Sequence, residues 1–292
     1  MKKDFNKGLL LTSLGSFWWG FIGVIYFEYV SFIGHVELVV HRCLWTAIML
    51  IITTSFFSKW KIFKEIISNK KNLIYLFGSG FLIFTNWAIW IYAVATEKII
   101  DASFGYFIMP IISVLLGYIF FNEKLNKKRI FSISLVFISI IILILFNLKT
   151  LPWVGLIVAI SWAFYNLIRK KIDVDTDVGL LIESLYIFPF ALVVFYFIVK
   201  NGFNDFNISN PGFSLFLILA GPMTVIPLFL YVRGVELIGL GPTGMIFYIT
   251  PTLQFILGYF YYNEAFSFIK FLSFIIIWIA VIIYLKDLYE TN

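Results

Sequence analysis

The chain has 292 residues, of which 61% are apolar, 13% are charged and 35 are Phe. Soluble domains have roughly 45–50% apolar and about 25% charged residues, so this composition excludes an ordinary soluble domain and indicates a protein solvated by lipid. Cys43 is the only cysteine, which excludes an internal disulfide and a cysteine-based metal cluster. The net charge of +6 arises from basic residues in short loops between apolar runs. Orientation in a membrane explains these residues better than binding to nucleic acid.

Ten apolar runs follow one another along the chain, each near the roughly 20 residues that a bilayer core demands. We expect all ten to be helices, because lipid offers no hydrogen-bond partners to an open backbone and the runs are too long for barrel strands. The connections are too short to hold a soluble domain. The predicted spans are residues 8–30, 36–57, 73–95, 102–121, 130–147, 153–168, 179–199, 213–232, 241–262 and 268–285.

The charges of the loops predict the orientation of these spans. If the N-terminus is inside, the inner segments carry most of the basic residues, for example five lysines in the loop 58–72. The outer loops then hold only Lys98, Lys149, Lys200 and Lys270. Because cytoplasmic loops are enriched in Lys and Arg, both termini are predicted to be cytoplasmic.

The second half of the chain repeats the first half at an offset of 141 residues. Residues 107–110, 116–118 and 122–123 recur at 248–251, 257–259 and 263–264, and Trp19 matches Trp162 more loosely at an offset of 143. With five spans per half, the second half enters the membrane the opposite way up. Accordingly, the loop after Glu123 is basic, whereas the loop after Glu264 has only Lys270. The sequence therefore predicts an all-α membrane protein with an inverted five-plus-five repeat, divided into halves 1–150 and 151–292. Such duplication is typical of secondary transporters.

The chain also resembles a known family over almost its whole length. It is similar to RarD-type permeases of the EamA branch of the drug/metabolite transporter superfamily. The matching segments are 16–21, Glu37, 41–42, Trp45, 86–87, 102–107, Pro110, 151–153, 169–171, 179–183, 219–221, 226–228 and 248–255. The resemblance implies a ten-helix carrier of the bacterial inner membrane with a central cavity, in which helices 5 and 10 stand aside from the path. That family is commonly labelled for chloramphenicol resistance, and the resemblance therefore implies transport without naming a cargo.

Charged residues within the spans are the first candidates for handling that cargo, because a charge at mid-membrane costs about 2.5–3.5 kcal/mol on insertion scales. Glu37 and His41 lie four residues apart on one helical face, and a His beside a carboxylate can titrate in the physiological range. Arg42 could hold Glu37 ionised or attract an anionic group on the cargo. Alternatively, the pair locks helix 2 to a neighbour while Arg42 reaches the interface. Glu183, about one turn into helix 7, is a further candidate.

Uncharged polar residues at mid-depth are candidates for lining a cavity. Asn86 lies near the middle of the third span and Gln254 near the middle of the ninth, where its repeat mate is Ser113. Gln254 and Ser113 each follow a proline by three residues, and Pro110 and Pro251 are expected to free a carbonyl group and to break or bend their helices. Carrier sites are expected beside such interrupted helices at the repeat interface. The alternative is that these side chains only join helices, at about 0.6–2 kcal/mol each.

Aromatic residues could stack on a planar or cationic cargo. Trp19 is one candidate, and Trp90, Tyr106 and Tyr248 are singled out because they lie near the polar candidates. Most of the other aromatic residues are expected in packing and in the interfacial belts. We predict that Asn86, Tyr106, Tyr248 and Gln254 point into one shared central space.

Several motifs are absent or fail. Asp173, Asp175 and Asp177 begin like a calcium loop, but Val178 stands where the sharp turn needs Gly. The two histidines do not form a zinc-protease motif, and no Walker loop is present, so no cofactor or metal is predicted. The predicted function is a secondary carrier that moves a small organic metabolite or drug by alternating access around a central cavity. Protons and a counter-substrate are candidate coupling partners, and facilitated movement without coupling is the alternative. A membrane-embedded enzyme and a non-transporting membrane subunit are the alternatives. Cargo, direction, coupling and oligomeric state stay open.

Overall fold

A computed structural model describes residues 2–30, 32–95, 99–147, 153–207, 211–261 and 268–291. These residues form helices joined by turns and short irregular segments, and no strand occurs among them. The expected all-α architecture is therefore confirmed. The helices are α1 (Lys2–Phe17), a π-helical turn (Trp18–Ile22), α2 (Gly23–Tyr29), α3 (His35–Phe56), α4 (Trp60–Ser68), α5 (Lys70–Ala95), α6 (Ile99–Phe121), α7 (Lys127–Asn147), α8 (Trp153–Lys171), α9 (Thr176–Lys200), α10 (Pro211–Ile218), α11 (Ala220–Ile238), α12 (Leu240–Ile246), α13 (Ile249–Phe260) and α14 (Phe268–Thr291).

Each of the ten predicted spans coincides with one helix or with consecutive helices. Span 1 comprises α1, the π-helical turn and α2; spans 2 to 7 are α3, α5, α6, α7, α8 and α9; span 8 is α10 with α11, span 9 is α12 with α13, and span 10 is α14. Within the described residues, seven of these spans are long and apolar enough to cross a membrane by length and composition, and residues 105–121 of span 4 form a shorter apolar helix. Span 9 consists of two short helices because a turn at Phe247 and Tyr248 divides it.

Helix α4 was not predicted, because it lies in the basic loop between spans 2 and 3. It has a strongly apolar face and a basic face, and its Ile66 is buried against Leu76 of α5 and Ile182 of α9. An apolar run this short cannot cross a bilayer, whereas an amphipathic helix with lysines on its polar face suits the interface plane. A prediction from long apolar runs therefore does not include this helix.

The contacts between spans follow the pattern expected of a duplicated structure. Span 1 packs against span 8 as span 6 packs against span 3, and span 4 packs against span 6 as span 9 packs against span 1. Spans 2 and 7, 4 and 9, and 5 and 10 pack directly against each other. If each of spans 1 to 5 is exchanged with its counterpart among spans 6 to 10, the same set of contacting pairs results. The arrangement is consistent with a two-fold relationship between the halves.

Spans 4 and 9 run in opposite directions. At one end of the pair, the Glu123 carboxylate accepts a hydrogen bond from the backbone N–H of Leu240 at 2.7 Å. Further along, the Tyr248 hydroxyl donates to the carbonyl of Phe107 at 2.8 Å. Residue numbers therefore fall along span 4 as they rise along span 9, as an inverted repeat requires. The matching Asn263 and Glu264 lie outside the described residues.

Spans 5 and 10 form a pair at the side of the bundle. Arg129 at the start of α7 is bonded to Asp287 near the end of α14 at 2.8 Å, and Ser139 donates to the carbonyl of Ser273 at 2.9 Å. Their buried side chains contribute to a core shared with spans 4 and 9, which is separate from the main core of the other spans. This location leaves the middle of the molecule to the remaining helices.

Candidate functional site

The middle of the bundle is occupied by aromatic side chains from both halves of the chain. Trp19 meets Trp162 edge to face with ring centroids 5.1 Å apart, and both rings contact Tyr231 and Phe247. Tyr106 contacts Phe247 at 5.8 Å and Trp90 at 5.4 Å. We call these six residues, Trp19, Trp90, Tyr106, Trp162, Tyr231 and Phe247, the central aromatic cluster.

This cluster is itself built from repeat mates. Tyr106 and Phe247 are 141 residues apart, and Trp90 and Tyr231 are separated by the same offset. The distance of 5.4 Å between Trp90 and Tyr106 has its counterpart in the 5.5 Å between Tyr231 and Phe247. The offset of 141 residues therefore relates ring contacts from the two halves of the chain at this central position.

Close backbone contacts place Trp19 in this position. A Cβ atom on Gly20 would lie 2.9 Å from the carbonyl oxygen of Thr250, and one on Gly15 would lie 3.0 Å from that of Pro227. Span 1 can therefore approach spans 8 and 9 only because side chains are absent there. The π-helical turn at Trp18–Ile22 inserts one extra residue per turn at the same height. No feature of the apolar pattern signalled this turn.

Tyr248 does not point into the central aromatic cluster. It is buried in the core of spans 4, 5, 9 and 10, where its hydroxyl is bonded to the Phe107 carbonyl. Its neighbour Phe247 enters the cluster instead, because the turn between α12 and α13 directs consecutive side chains to different sides. The prediction of a space shared by Tyr106 and Tyr248 is therefore wrong for Tyr248. The 141-residue offset from Tyr106 could have identified Phe247.

The mid-depth polar residues contact their neighbours in different ways. Asn86 is buried, and its amide donates to the Val158 carbonyl at 2.9 Å and to the Ser161 hydroxyl at 3.1 Å, which joins spans 3 and 6. Ser113 is buried and donates to the Met109 sulfur at 3.3 Å. Gln254 is half-buried on α13, and no hydrogen bond joins it to another described residue. The structure therefore gives Asn86 an interhelical contact, and among the described residues no hydrogen bond joins Ser113 to Gln254.

The two prolines differ in their effect. Pro110 lies inside α6, which continues as one helix from Ile99 to Phe121. Pro251 lies in the first turn of α13, just after the interruption at Phe247 and Tyr248. A proline is tolerated in a first turn because its missing N–H would have no helical partner there. Only the second proline therefore accompanies a division of its helix.

Glu37 and His41 are in contact, as their spacing predicts. The His41 ring nitrogen Nε2 lies 3.4 Å from a carboxylate oxygen of Glu37, and the Trp45 indole donates to the other ring nitrogen at 3.2 Å. The Glu37 carboxylate also accepts hydrogen bonds from the backbone N–H groups of Asp205, at 2.9 Å, and Phe206, at 3.3 Å. The pair therefore attaches the segment after α9 to span 2.

Arg42 points away from Glu37, although the two are close in sequence. Its guanidinium carbon lies 4.7 Å from the ring centroid of Trp87 and 4.9 Å from that of Phe27, and its Nε donates to the Thr224 hydroxyl at 3.2 Å. Only 9% of the residue is exposed. No carboxylate of the described residues forms an ion pair with Arg42, so the suggestion that it holds Glu37 ionised is not met by this geometry.

Glu183 belongs to a buried ionic group at the opposite end of the bundle. Its carboxylate accepts a hydrogen bond from Ser79 at 2.5 Å and lies 3.5 Å from a guanidinium nitrogen of Arg169. Arg169 is fully buried and also lies 3.5 Å from Glu236, which is paired with Arg233 at 2.8 Å. Because these residues come from spans 3, 6, 7 and 8, the ionic group ties four helices together at this end.

A second set of ion pairs joins the turn after α3 to the start of α9 at the same end. Lys59, in the turn after α3, contacts Asp177 at 2.6 Å and Asp175 at 3.1 Å. Burial alone would lower the pKa of Lys59, but the hydrogen bonds and charges of the two aspartates outweigh it and hold that pKa above its usual value. The three spaced aspartates that resemble a calcium loop thus serve in part to bind a lysine. No group of three metal-binding side chains was found among the described residues.

These features define a class of protein: an integral membrane protein of many helices, with a pattern of helix contacts consistent with two inverted repeats and with aromatic and isolated polar side chains at its centre. The sequence profile of the EamA-like transporter family matches residues 6–145 and again residues 150–286. The chain belongs to the EamA-like transporter family. The resemblance to RarD-type permeases is thereby confirmed, and the chain is a multi-pass membrane transporter of the drug/metabolite type.

Similar proteins occur in distant bacteria. The chain is 31% identical over 290 residues to Protein RarD of Escherichia coli, covering 99% of this chain and 97% of that protein. It is 33% identical over 282 residues to the uncharacterized transporter YojE of Bacillus subtilis, covering 96% and 93%. A solved crystal structure with 12% sequence identity superposes with a TM-score of 0.71, covering 95% of this chain and 96% of the other. At that identity, the superposition concerns the fold alone.

Proposed function

We propose that the protein is a secondary active transporter that moves a small organic metabolite or drug across the bacterial inner membrane. Its halves, residues 1–150 and 151–292, are two inverted repeats, and both termini are cytoplasmic. The observation that carries this proposal is the central aromatic cluster, in which repeat mates from the two halves meet around one axis. Carriers built from inverted repeats place their binding site at such an interface and open it alternately to each side.

The ends of the bundle supply the contacts that would have to change during such a cycle. Arg169, Glu183 and Glu236 join spans 6, 7 and 8 at the end that the loop charges assign to the cytoplasm. Access from that side requires these contacts to separate or rearrange. Ion pairs as long as 3.5 Å suit this role. The free energy needed to remove the two charges from water is about as large as the free energy gained from their attraction, so such pairs can separate.

The cargo would contact the central aromatic cluster and its polar surroundings. Trp19, Trp90 and Tyr106 offer ring faces for an apolar or planar group, and Gln254 offers an amide that no described residue uses. Glu37 and His41 remain candidates for coupling transport to protonation, and Glu183 for a role in the cycle. The relatives named RarD and YojE support transport, and their printed names specify no cargo for this chain.

A flux measurement tests the proposal. The levels of small metabolites inside and outside cells that lack or overproduce the protein would first identify a candidate solute. That solute would then be labelled and its uptake measured in proteoliposomes that contain the purified chain. Saturable uptake by the wild type, absent from protein-free liposomes, is the expected result. Equal flux in both preparations, or conversion of the solute without movement, would reject transport and favour a membrane enzyme or a non-transporting subunit.

Gln254→Leu is the sharpest variant for the same assay. Because Gln254 makes no hydrogen bond to another described residue, its loss should reduce flux without lowering stability. Asn86→Leu removes two interhelical hydrogen bonds and should lower both. Unchanged flux in Gln254→Leu would remove this residue from the binding site.

A further inference from the structure

Arg42 has an unusual environment for a charged residue inside a membrane protein. It is nine-tenths buried and its guanidinium packs against Phe27 and Trp87. Rings stacked on a guanidinium do not use its N–H groups, which lie in the guanidinium plane. Only Nε has a hydrogen-bond acceptor among the described residues, the Thr224 hydroxyl at 3.2 Å. The two terminal nitrogens therefore keep their donors available.

The repeat contains a matched comparison for this site. Arg42 is the eighth residue of α3, and Glu183 is the eighth residue of α9, the corresponding helix of the second half. Glu183 is also buried, but its charge faces Arg169 and it accepts hydrogen bonds from Ser79 and Tyr165. The described residues therefore include an oppositely charged partner for Glu183, and they include none for Arg42.

Neighbouring charges do not replace that missing partner. The Glu37 carboxylate already contacts His41 and accepts hydrogen bonds from the backbone N–H groups of Asp205 and Phe206. His41 is bonded to Glu37 and to the Trp45 indole. A buried cation without a counterion is costly, and an anionic ligand that binds it removes that cost.

We propose that Arg42 binds a carboxylate group of the cargo through its two terminal nitrogens, so that the transported solute is a small organic carboxylate with an apolar or aromatic body. This inference rests on the proposed transport function. Guanidinium and carboxylate form paired hydrogen bonds in one plane. The positive charge of one arginine balances one negative charge, which favours a carboxylate over a phosphate dianion.

The location of Arg42 suits the apolar part of such a solute. The Arg42 guanidinium lies over the Trp87 ring, and Tyr106 of the central aromatic cluster contacts Trp90 on the same helix as Trp87, with ring centroids 5.4 Å apart. Trp87 follows Asn86 on α5, and Trp90 lies one turn further along the same helix. A carboxylate on Arg42 therefore places its organic body beside Tyr106 and Trp90, whose rings can stack on it.

Arginine-specific modification of the full chain in lipid nanodiscs tests this assignment. The protein has four arginines, and the extent of reaction of each with phenylglyoxal can be followed by peptide mass spectrometry. Benzoate, benzamide and phenylphosphonate would be the competing probes, since they share a ring and differ in charge. Arg233, which is 42% exposed, is the internal control whose reaction should not depend on the probe.

Benzoate is expected to slow modification of Arg42 at least about tenfold, the effect of roughly one strong hydrogen-bonded contact. Benzamide should give little protection. Equal protection by benzamide, or none by benzoate, would overturn the proposal, and stronger protection by phenylphosphonate would reassign the site to phosphate.

Calorimetric titration of Arg42→Lys with benzoate provides a second measurement. The affinity for benzoate should fall at least about tenfold relative to the wild type, because an ammonium cannot form the paired contact. Unchanged affinity would contradict the assignment.

The outcomes of this experiment are separable from those of the flux assay. A neutral solute carried by a protein whose Arg42 is not protected would reject the carboxylate and leave transport intact. Binding of benzoate at Arg42 in a protein that carries nothing would reject transport and leave the site intact.

Discussion

The hydroxyl of Tyr248 donates a hydrogen bond of 2.8 Å to the backbone carbonyl of Phe107, its own counterpart 141 residues earlier in the chain. The two residues lie where span 4 crosses span 9, next to the ring contact between Tyr106 and Phe247. A single sequence offset therefore describes both a polar contact and an aromatic contact between spans 4 and 9.

Replacing Tyr248 with Phe should destabilise the protein by about 1 kcal/mol, because the change removes this hydrogen bond and leaves the ring in place. The midpoint of thermal unfolding in detergent would report the effect. Tyr118→Phe on the same span 4 is the matched control, since Tyr118 is 54% exposed. Equal unfolding midpoints for the two variants would show that the bond between the repeats carries no stability.

The helices could be predicted well from the sequence, because the bilayer requires apolar runs of about 20 residues and favours basic loops on the cytoplasmic side. All ten spans correspond to observed helices, and the antiparallel contact of spans 4 and 9 agrees with the inverted repeat. The features that were missed, such as helix α4 and the π-helical turn at Trp18–Ile22, depend on local geometry that mean apolarity does not encode.

The site residues were predicted less completely, because depth in a helix does not specify which way a side chain points. Trp19, Trp90 and Tyr106 do come together, and the turn in span 9 directs Tyr248 away while Phe247 takes its place. Asn86 lies at the expected depth but is bonded to span 6. Directions of this kind follow from helix rotation and from neighbours that are remote in sequence.

Gly221→Ala should destabilise the protein by about 1–3 kcal/mol through overpacking. A Cβ atom at this position would lie 2.5 Å from the carbonyl oxygen of Trp45, so that spans 2 and 8 would have to move apart. Gly212→Ala is the matched control, because nothing lies within 4 Å of a Cβ atom there. The free energy of unfolding in detergent distinguishes the two. A Gly221→Ala variant as stable as Gly212→Ala would show that this helix contact is not tight.

Arg169→Met should be severely destabilising, by about 3–5 kcal/mol, because it leaves the buried carboxylate of Glu183 without a positively charged partner. Arg233→Met removes a half-exposed ion pair with Glu236 and should cost no more than about 1 kcal/mol. Thermal unfolding of the purified variants measures both. Adding Glu183→Gln to Arg169→Met should recover part of the loss, and a double variant no more stable than Arg169→Met alone would contradict this account.

The contacts of Glu37 and His41 allow the predicted coupling role to be separated from a structural one. His41→Gln removes the only titratable ring in the pair, and Glu37→Gln keeps an oxygen that can accept from the N–H of Asp205 while removing the charge. If the pair links substrate movement to protonation, either variant should flatten the pH dependence of uptake. Exchange of labelled for unlabelled solute across the membrane needs no net proton movement, so it should be largely retained.

Flux measured over a range of pH in proteoliposomes, together with the exchange assay, decides the matter. Ser55→Ala serves as a control on the same helix, because its exposed hydroxyl bonds only locally to the Ile51 carbonyl and the Trp60 indole. A His41→Gln protein that keeps the wild-type pH profile would show that the pair only attaches the segment after α9 to span 2. Exchange or facilitated movement without proton coupling would then be the better description of transport.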